Sequence, residues 1–209
     1  FGVKVTKGYL VKVLRKGSHA LGSCYDELLQ ALPLQQVVNS DETGHKENGG
    51  NFWTWVFRTN VFTLFKISPS RGSDVLIEVL GKEFNGVLGC DYFSAYRKFM
   101  GDFDIRVQFC MAHLIRDVKY LVDFPDAAVK RYGTKILDAL RELFHTIHLR
   151  DSMTPEQFRA KLEQKKAAVL KAGIGYVPQR SEARNMEKRL RENGQAYFPF
   201  ITPPLIDPT

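Results

Sequence analysis

Two neighbouring runs of aromatic and β-branched residues constrain the fold of this sequence most strongly. The runs cover residues 52–58 and 61–67, and only two residues separate them. Aromatic and β-branched side chains favour strands, and so short a break between two strands indicates a hairpin. A further strand pattern begins at Val37 and leads to Asp41. This part of the chain therefore predicts three consecutive strands that form a meander.

Helix and strand patterns alternate after the hairpin. Helices are predicted over 74–80, 92–99 and 111–122, and short apolar strands over 87–90 and 105–109. The order β-β-β-α-β-α-β-α is typical of an α/β domain in which helices flank a mixed sheet of five strands. In such a sheet the first and fourth strands can lie side by side.

Four segments are predicted along the chain. Residues 1–33 hold short helices, residues 34–123 hold the sheet, residues 124–197 hold helices alone, and residues 198–209 form a proline-rich extended connector. Gly17 is expected to end the first helix, because glycine is common just after a helix terminus.

The composition indicates a folded protein of the cytoplasm. Hydrophobic residues make up 44% of the chain and charged residues 25%, which is close to the globular average. No apolar run approaches the ~20 residues of a membrane helix, so no membrane partner is expected. The three cysteines are widely spaced, which indicates reduced thiols. Because the chain begins at Phe1 and ends just after a proline cluster, we expect it to be a segment of a longer protein.

Positive charge is concentrated in one segment. The whole chain has a net charge of +7, and residues 159–191 alone hold ten basic and three acidic residues. The rest of the chain is therefore neutral overall. A basic stripe of this kind indicates a polyanionic partner. The alternative is a solvated helix face without a partner.

Carboxylates are predicted at the ends of two neighbouring strands. Asp41 would close the first strand and Asp91 the fourth. Ligands favour this edge of open α/β sheets, and a pair of carboxylates there suits divalent ions such as Mg²⁺. Two such ions can activate an attacking hydroxyl and stabilise a leaving oxygen. The alternative is that each aspartate only caps a turn.

The sequence resembles bacterial insertion-sequence transposases of the DDE type that have a C-x-x-H element. The resemblance extends in order from about residue 1 to residue 123 and agrees with the predicted order of strands. It rests on residues 41–44, the Trp-rich hairpin, residues 70–72, residues 86–91 with Tyr92 and Tyr96, and residues 108–116.

This resemblance implies a ribonuclease-H-like (retroviral-integrase-like) catalytic core that cleaves and joins DNA. Asp41 and Asp91 would be the first two metal-binding carboxylates, holding two Mg²⁺ or Mn²⁺ ions. His113 and Arg116 would approach the scissile phosphate or orient a carboxylate. The implied partners are transposon-end DNA, target DNA and further copies of the chain, at the nucleoid in a bacterial cytoplasm. The basic segment would contact the DNA backbone through Lys161, Lys165, Lys166, Arg180, Arg184, Lys188 and Arg189.

The third carboxylate of such transposases is a Glu in an Asn-Asn-x-x-Glu stretch that follows a proline-rich connector. This sequence stops at Thr209, so we expect that Glu to lie beyond it and the fragment to be poorly active. Glu182, Glu187 and Glu192 lie on a charge-dense helix, where a solvated role is expected, and are not assigned as the third ligand.

Several alternatives stay open. Cys110 and His113 could form half of a zinc site, but tetrahedral zinc needs four ligands. The comparable pair, His145 and His148, lies on a helix whose apolar residues are needed for packing, so zinc is disfavoured. A buried cysteine with a surface histidine is the plainer alternative. For the whole chain, the alternatives are a non-enzymatic DNA-binding or assembly fragment and a structure-specific nuclease on the same fold.

Overall fold

The computed structural model of the chain describes residues 4–201. These residues form two N-terminal helices, a region of alternating strands and helices, and three further helices. The strands are β1 (Val37–Glu47), β2 (Gly50–Arg58), β3 (Thr63–Ser68), β4 (Val87–Cys90) and β5 (Arg106–Phe109). The helices are α1 (Lys7–Ala20), α2 (Gly22–Ala31), α3 (Ser73–Leu80), α4 (Ser94–Phe103), α5 (Met111–Val122), α6 (Ala127–His148), α7 (Pro155–Ile174) and α8 (Ser181–Asn193).

The strands form one five-stranded sheet in the order β3-β2-β1-β4-β5. β1 pairs with β2, and β2 pairs with β3, in the antiparallel sense. The first and fourth strands are neighbours, as the sequence predicts, and helices α3, α4 and α5 alternate with the later strands along the chain. The prediction of an α/β fold, with a mixed five-stranded sheet and flanking helices, is therefore confirmed.

Strand β1 is longer than the sequence indicates. Its pairing with β2 continues without interruption to Glu47, which lies opposite Gly50. Asn48 and Gly49 close the hairpin with φ angles of 49° and 82°, which is the type I′ geometry that an Asn-Gly pair favours. The prediction that Asp41 closes the first strand is therefore wrong. The polar residues that follow Asp41 continue the ladder with β2 instead of turning away.

Alternate residues of the hairpin between β2 and β3 face the core. Trp55 and Phe57 are fully buried, whereas Phe65 and Ile67 on the edge strand β3 are each 59% exposed. The two-residue break predicted between these strands is a four-residue connection, residues 59–62. Packing therefore explains Trp55 and Phe57, whereas Phe65 and Ile67 face solvent.

The described chain forms two compact units. The first comprises residues 4–88 and 95–105, and the second comprises residues 89–94 and 106–201. Each unit has its own buried aromatic residues, Trp55, Tyr96 and Phe99 in the first and Phe109, Tyr132 and Tyr197 in the second. This division does not test the four predicted segments, which stay a prediction.

Helices α1 and α2 have no buried residues. Thr6 caps α1 by accepting a hydrogen bond from the Tyr9 N–H, and the helix then continues through Gly17 to Ala20. The expectation that Gly17 ends this helix is wrong, because an interior glycine costs only about 1 kcal/mol relative to alanine. Among residues 4–201, no helix is long and apolar enough to cross a membrane.

Residues 198–201 differ from the predicted extended connector. Pro199–Ile201 form a short 3₁₀ helix, and Phe198, Phe200 and Ile201 are at most 4% exposed. Burial of these apolar side chains removes their surface from water, which explains why the chain packs here instead of extending. The rest of the predicted connector, residues 202–209, lies outside the described residues.

Close packing of α5 against α6 depends on a glycine. A Cβ on Gly133 would lie 2.8 Å from the Leu121 Cβ. We predict that Gly133→Ala lowers the free energy of unfolding by roughly 1–3 kcal/mol, because overpacking displaces its neighbours. Urea unfolding followed by circular dichroism measures the change. Gly101→Ala is the matched control, since Gly101 lies in α4 with open space around it and alanine there should be neutral or stabilising.

Candidate active site

The two predicted metal-binding aspartates belong to β1 and to the residue after β4, and these two strands are neighbours in the sheet. Asp41 is an exposed residue of β1, and its Oδ1 accepts a hydrogen bond from the Glu42 N–H at 2.9 Å. Asp91 directly follows β4, and its Oδ1 accepts a hydrogen bond from the Phe93 N–H at 2.8 Å. Within the part of the chain that the structure describes, neither carboxylate takes part in an ion pair. Both therefore keep oxygen atoms available for a ligand.

Strand alternation places the next carboxylate, Glu42, on the opposite face of β1. Its side chain is only 1% exposed, and it lies 2.9 Å from Arg71 Nη2 and accepts a hydrogen bond from the Tyr96 hydroxyl at 2.6 Å. A buried carboxylate is tolerated where an opposite charge and hydrogen bonds compensate for the lost water. These three side chains therefore form one ion-paired cluster inside the first unit, which we call the Glu42 cluster.

The Glu42 cluster also holds the loop at residues 70–72. The Arg71 guanidinium lies over the Trp53 ring at 4.3 Å, and Trp55 Nε1 donates to the Ser70 carbonyl oxygen at 3.1 Å. The cluster is absent from the sequence-based predictions. The period of two in β1 is the signal that could have found it, because consecutive residues of a strand face opposite sides of the sheet.

In the second unit, three of the predicted site residues line one pocket. This pocket has a volume of about 250 Å³ and brings Asp91 together with His113 and Arg116. His113 and Arg116 are three residues apart on α5, a spacing that places them on the same side of the helix. Catalytic roles for these residues stay a prediction. The remaining lining residues are Tyr92, Phe93, Asp117 and Arg189.

His113 and Arg116 offer different chemistry to this pocket. The Arg116 side chain is 71% exposed, and its 3.7 Å contact with Asp117 is long for an ion pair, so the guanidinium can turn toward an anion. His113 Nδ1 is buried and has no hydrogen-bond partner among the described residues. Nε2 is therefore the ring nitrogen that can contact a ligand. A guanidinium and an imidazole beside a carboxylate suit a phosphate diester.

Arg189 lines the pocket as a buried side chain, although the sequence predicts that it contacts DNA. Its side chain is 10% exposed, and its Nη1 donates to Asp117 Oδ2 at 2.7 Å. Its Nε donates to the Tyr197 hydroxyl. Burial raises the pKa of Tyr197, so this hydroxyl stays protonated and accepts the hydrogen bond as a neutral group. The contacts of Arg189 are thus those of a packed ion pair.

Helix α8 also fixes the residue next to Asp91. The Arg189 guanidinium lies 4.3 Å from the centre of the Tyr92 ring, and Asn193 Nδ2 donates to the Tyr92 hydroxyl at 2.9 Å. A cation above an aromatic face and a hydrogen bond at its edge hold the ring in one orientation. Because Tyr92 directly follows Asp91, α8 restricts the backbone from which the Asp91 carboxylate extends.

Most of the cations predicted to contact DNA have acidic neighbours. Lys165 lies 3.0 Å from Glu142, and its hydrogen bond lowers the pKa of the Glu142 carboxyl. Arg184 donates to the Gln179 side chain, whereas Lys161 is exposed. A DNA-binding role for these residues stays a prediction. The other pairs are Lys166 with Glu163, Arg180 with Asp126, Lys188 with Glu192, and Arg189 with Asp117.

The two predicted metal ligands can be judged by their donor chemistry. Among residues 4–201, no three His, Cys, Asp or Glu side chains lie close enough together to hold a metal ion. Asp41 and Asp91 offer hard oxygen donors that no ion pair occupies among residues 4–201, and such donors suit Mg²⁺ or Mn²⁺. Mg²⁺ commonly binds one or two carboxylates and completes its coordination with water and substrate phosphate. The donor chemistry therefore fits this class of ion.

The ion pair of Arg189 should contribute measurably to stability. We predict that Arg189→Ala lowers the free energy of unfolding by roughly 1–3 kcal/mol, because Asp117 and Tyr197 lose their partner. Lys188→Ala is the matched control on the same helix. Its 3.9 Å pair with Glu192 is exposed, so the change should stay within about 0.5 kcal/mol. Urea unfolding measures both, and equal effects would show that Arg189 behaves as an ordinary surface cation.

Similarity to individual known proteins is weak. No curated protein sequence matches the chain. Two solved structures of the HTLV-2 integrase catalytic core domain in complex with magnesium, a dimeric and a trimeric form, are similar to it at 10% sequence identity and a TM-score of 0.28. The alignments cover 73% of this chain and 95% and 96% of the integrase chains. A TM-score this low supports no inference about function.

The comparison with protein families is decisive. The family model described as "Transposase IS66 family" matches residues 1–202. The matched region includes β1 with Asp41, the pocket with Asp91, His113 and Arg116, and the three helices that follow. A match over nearly the whole chain shows the family. The chain belongs to the IS66 family of transposases.

Proposed function

We propose that this chain is the catalytic core of a DNA transposase that cleaves DNA phosphodiester bonds and joins the freed ends to target DNA. The pocket that Asp91 shares with His113 and Arg116 supports the proposal most directly. The strand order adds to it, because β1, with Asp41, is the neighbour of β4, which Asp91 follows. Membership of the IS66 family favours the same class of reaction.

Asp41 and Asp91 are the residues proposed to hold divalent metal, as two Mg²⁺ or Mn²⁺ ions. When bound, such ions act as Lewis acids and increase the nucleophilicity of a bound water or hydroxyl. The role of the chain is to fix the two carboxylates. The buried Glu42 anchors the strand at Asp41, and Tyr92, held by α8, anchors the backbone at Asp91.

Arg116 and His113 are proposed to bind the reacting phosphate. In cleavage, water attacks the phosphorus and a 3′-hydroxyl leaves. In joining, that 3′-hydroxyl attacks a target phosphodiester and displaces the 3′-oxygen of the target strand. The Arg116 guanidinium would offset charge on the transferring phosphoryl group, since a preorganised cation stabilises such charge. His113 would orient the phosphate through Nε2, because Nδ1 is buried.

The third carboxylate is proposed to lie outside residues 4–201. Glu187 and Glu192 form ion pairs along α8, and Glu182 accepts a hydrogen bond from the Ser181 hydroxyl. These contacts favour a structural or solvated role for the three glutamates. With only two carboxylates the metal would be held loosely, and a misplacement of ~1 Å can cost ~100-fold in rate.

The proposed substrate is duplex DNA, at the ends of a mobile element and at its target. The basic segment 159–191 would contact backbone phosphates, which supply affinity and position without reading sequence. Further copies of the chain are proposed to assemble on the DNA, because both ends of an element have to be processed together. The proposed location is the nucleoid in a bacterial cytoplasm.

Substitution of the carboxylates by amides tests the proposed site. We predict that Asp41→Asn and Asp91→Asn each reduce Mg²⁺-dependent cleavage of DNA with the element's ends by ~100-fold or more, because the amide is a poor metal ligand. Asp123→Asn, an exposed position at the end of α5, is the control and should leave cleavage unchanged. The assay uses the chain extended through the expected Asn-Asn-x-x-Glu stretch, beside the 209-residue chain, which should be the weaker enzyme.

The products distinguish the classes of function. Cleavage followed by joining supports a transposase, whereas cleavage without joining indicates a structure-specific nuclease. DNA binding by the extended chain without metal-dependent cleavage indicates an assembly fragment. Equal activity of the 209-residue and extended chains would contradict the proposed position of the third ligand and return attention to Glu182, Glu187 and Glu192.

The basic segment should contribute to non-specific DNA affinity. We predict that replacing Lys161, Lys165 and Lys166 by Gln flattens the dependence of log affinity on log salt by ~0.9 for each DNA phosphate that the chain no longer neutralises. Lys161 should account for most of the change, since Lys165 and Lys166 already have carboxylate partners. Salt titration of a short duplex measures the slope, and an unchanged slope would show that these lysines face only solvent.

A further inference from the structure

Helix α1 has a positive surface that the proposed catalytic site does not use. The helix has 14 residues, none of them buried, and it contains four Lys or Arg residues and no acidic residue. A helix of this length is only marginally stable unless it packs against something. An exposed helix whose charged residues are all basic therefore indicates a binding partner.

Apart from Lys7 and Val11, the charged and apolar side chains of α1 lie on opposite sides of the helix. The basic residues on one side are three or four positions apart, which places them on a single face of the helix. We call this side the cationic face. Together with Gly8 and Val11 it lines a shallow groove of about 400 Å³. The apolar residues follow the same spacing on the other side. The cationic face consists of Lys12, Arg15, Lys16 and His19. The apolar side consists of Leu10, Val13 and Leu14, which are 50%, 48% and 72% exposed.

The positive charge of the cationic face is not balanced by carboxylates among residues 4–201. Among residues 4–201, none of its side chains forms an ion pair. By contrast, five of the seven cations predicted to bind DNA in the segment 159–191 are paired with carboxylates. Like charges four residues apart on a helix repel one another, as Lys12 and Lys16 do here. An external anion would remove this repulsion.

We propose that the cationic face of α1 is a second DNA-binding surface, which contacts the backbone phosphates of duplex DNA. The choice of DNA as the polyanion rests on the proposed function. The face spans roughly 10 Å from Lys12 to His19 at 1.5 Å per residue, which is enough to lie along about three successive phosphates of one strand. Such contacts add affinity and fix orientation without reading bases.

Two variants with the same net charge test this surface. The first replaces Lys12, Arg15 and Lys16 by Gln. The control replaces by Gln three cations on other elements that already have carboxylate partners. Neither set includes a buried residue or a residue of the proposed catalytic site, so both proteins should fold. The control cations are Lys66, Lys98 and Arg141.

The measurement is the salt dependence of binding to a short random-sequence duplex by the full chain. We expect the α1 variant to flatten the slope of log affinity against log salt by ~2–3, at ~0.9 for each phosphate left without a protein cation. The control should change the slope by less than ~0.5, because its cations are neutralised internally. Urea unfolding of the α1 variant should match that of the unmodified chain, since α1 buries no side chain.

Other outcomes would overturn the inference. Equal flattening in both variants would show an effect of net charge alone. An unchanged slope in the α1 variant would also overturn it, and an accompanying change in sedimentation would identify α1 as a contact between protein copies. Weakened binding to vesicles of anionic lipid, with DNA binding unchanged, would identify a membrane-surface helix.

The same experiment separates this inference from the proposed function. If the unmodified chain shows no salt-dependent binding to duplex DNA, the proposed function and the inference fail together. If the unmodified chain binds DNA and its extended form cleaves it, but the slope of the α1 variant is unchanged, only the role of α1 is wrong.

Discussion

The ion pair between Glu42 and Arg71 is the interaction on which the first unit depends. A carboxylate that is 1% exposed can stay charged only if its partners are present together. Those partners come from separate parts of the chain, the loop at residues 70–72 and helix α4 with Tyr96. Because these partners meet at Glu42, they specify how the loop, the helix and the strand β1 are arranged. Burial of apolar surface alone is less directional and would not specify this arrangement.

The second unit also contains an ion-paired arginine that lies over an aromatic ring. Arg189 is ion-paired with Asp117 and lies over Tyr92, as Arg71 is ion-paired with Glu42 and lies over an aromatic ring. A planar guanidinium can stack on a ring and pair with a carboxylate at once, which a lysine ammonium cannot do. In both units the arginine is close in structure to the segment from which a proposed metal ligand extends. Rigid support of this kind would suit the proposed metal site, because it fixes the backbone near each proposed ligand.

The sequence predicted those elements whose side chains have a clear hydrophobic period. The bounds of β4 and α5 agree with the predicted residues 87–90 and 111–122, and the neighbouring position of β1 and β4 follows from the order of elements. The far half of β1 could not be predicted, because its polar residues follow no hydrophobic alternation and are ordered by pairing with β2. The convergence of His113 and Arg116 could be predicted from their helical spacing. The role of Arg189 could not be predicted, because it depends on contact with Asp117, which lies 72 positions earlier in the chain.

Strand β1 presents two consecutive carboxylates to opposite environments, so the pairing register decides which one is offered to a ligand. A shift of one residue against β2 would turn Asp41 inward and Glu42 outward, since such a shift exchanges the two faces of a strand. The two-residue turn at Asn48 and Gly49 sets that register. The tight turn at the far end of the strand therefore helps to determine that the shorter acid, Asp41, and not the longer one, Glu42, faces outward.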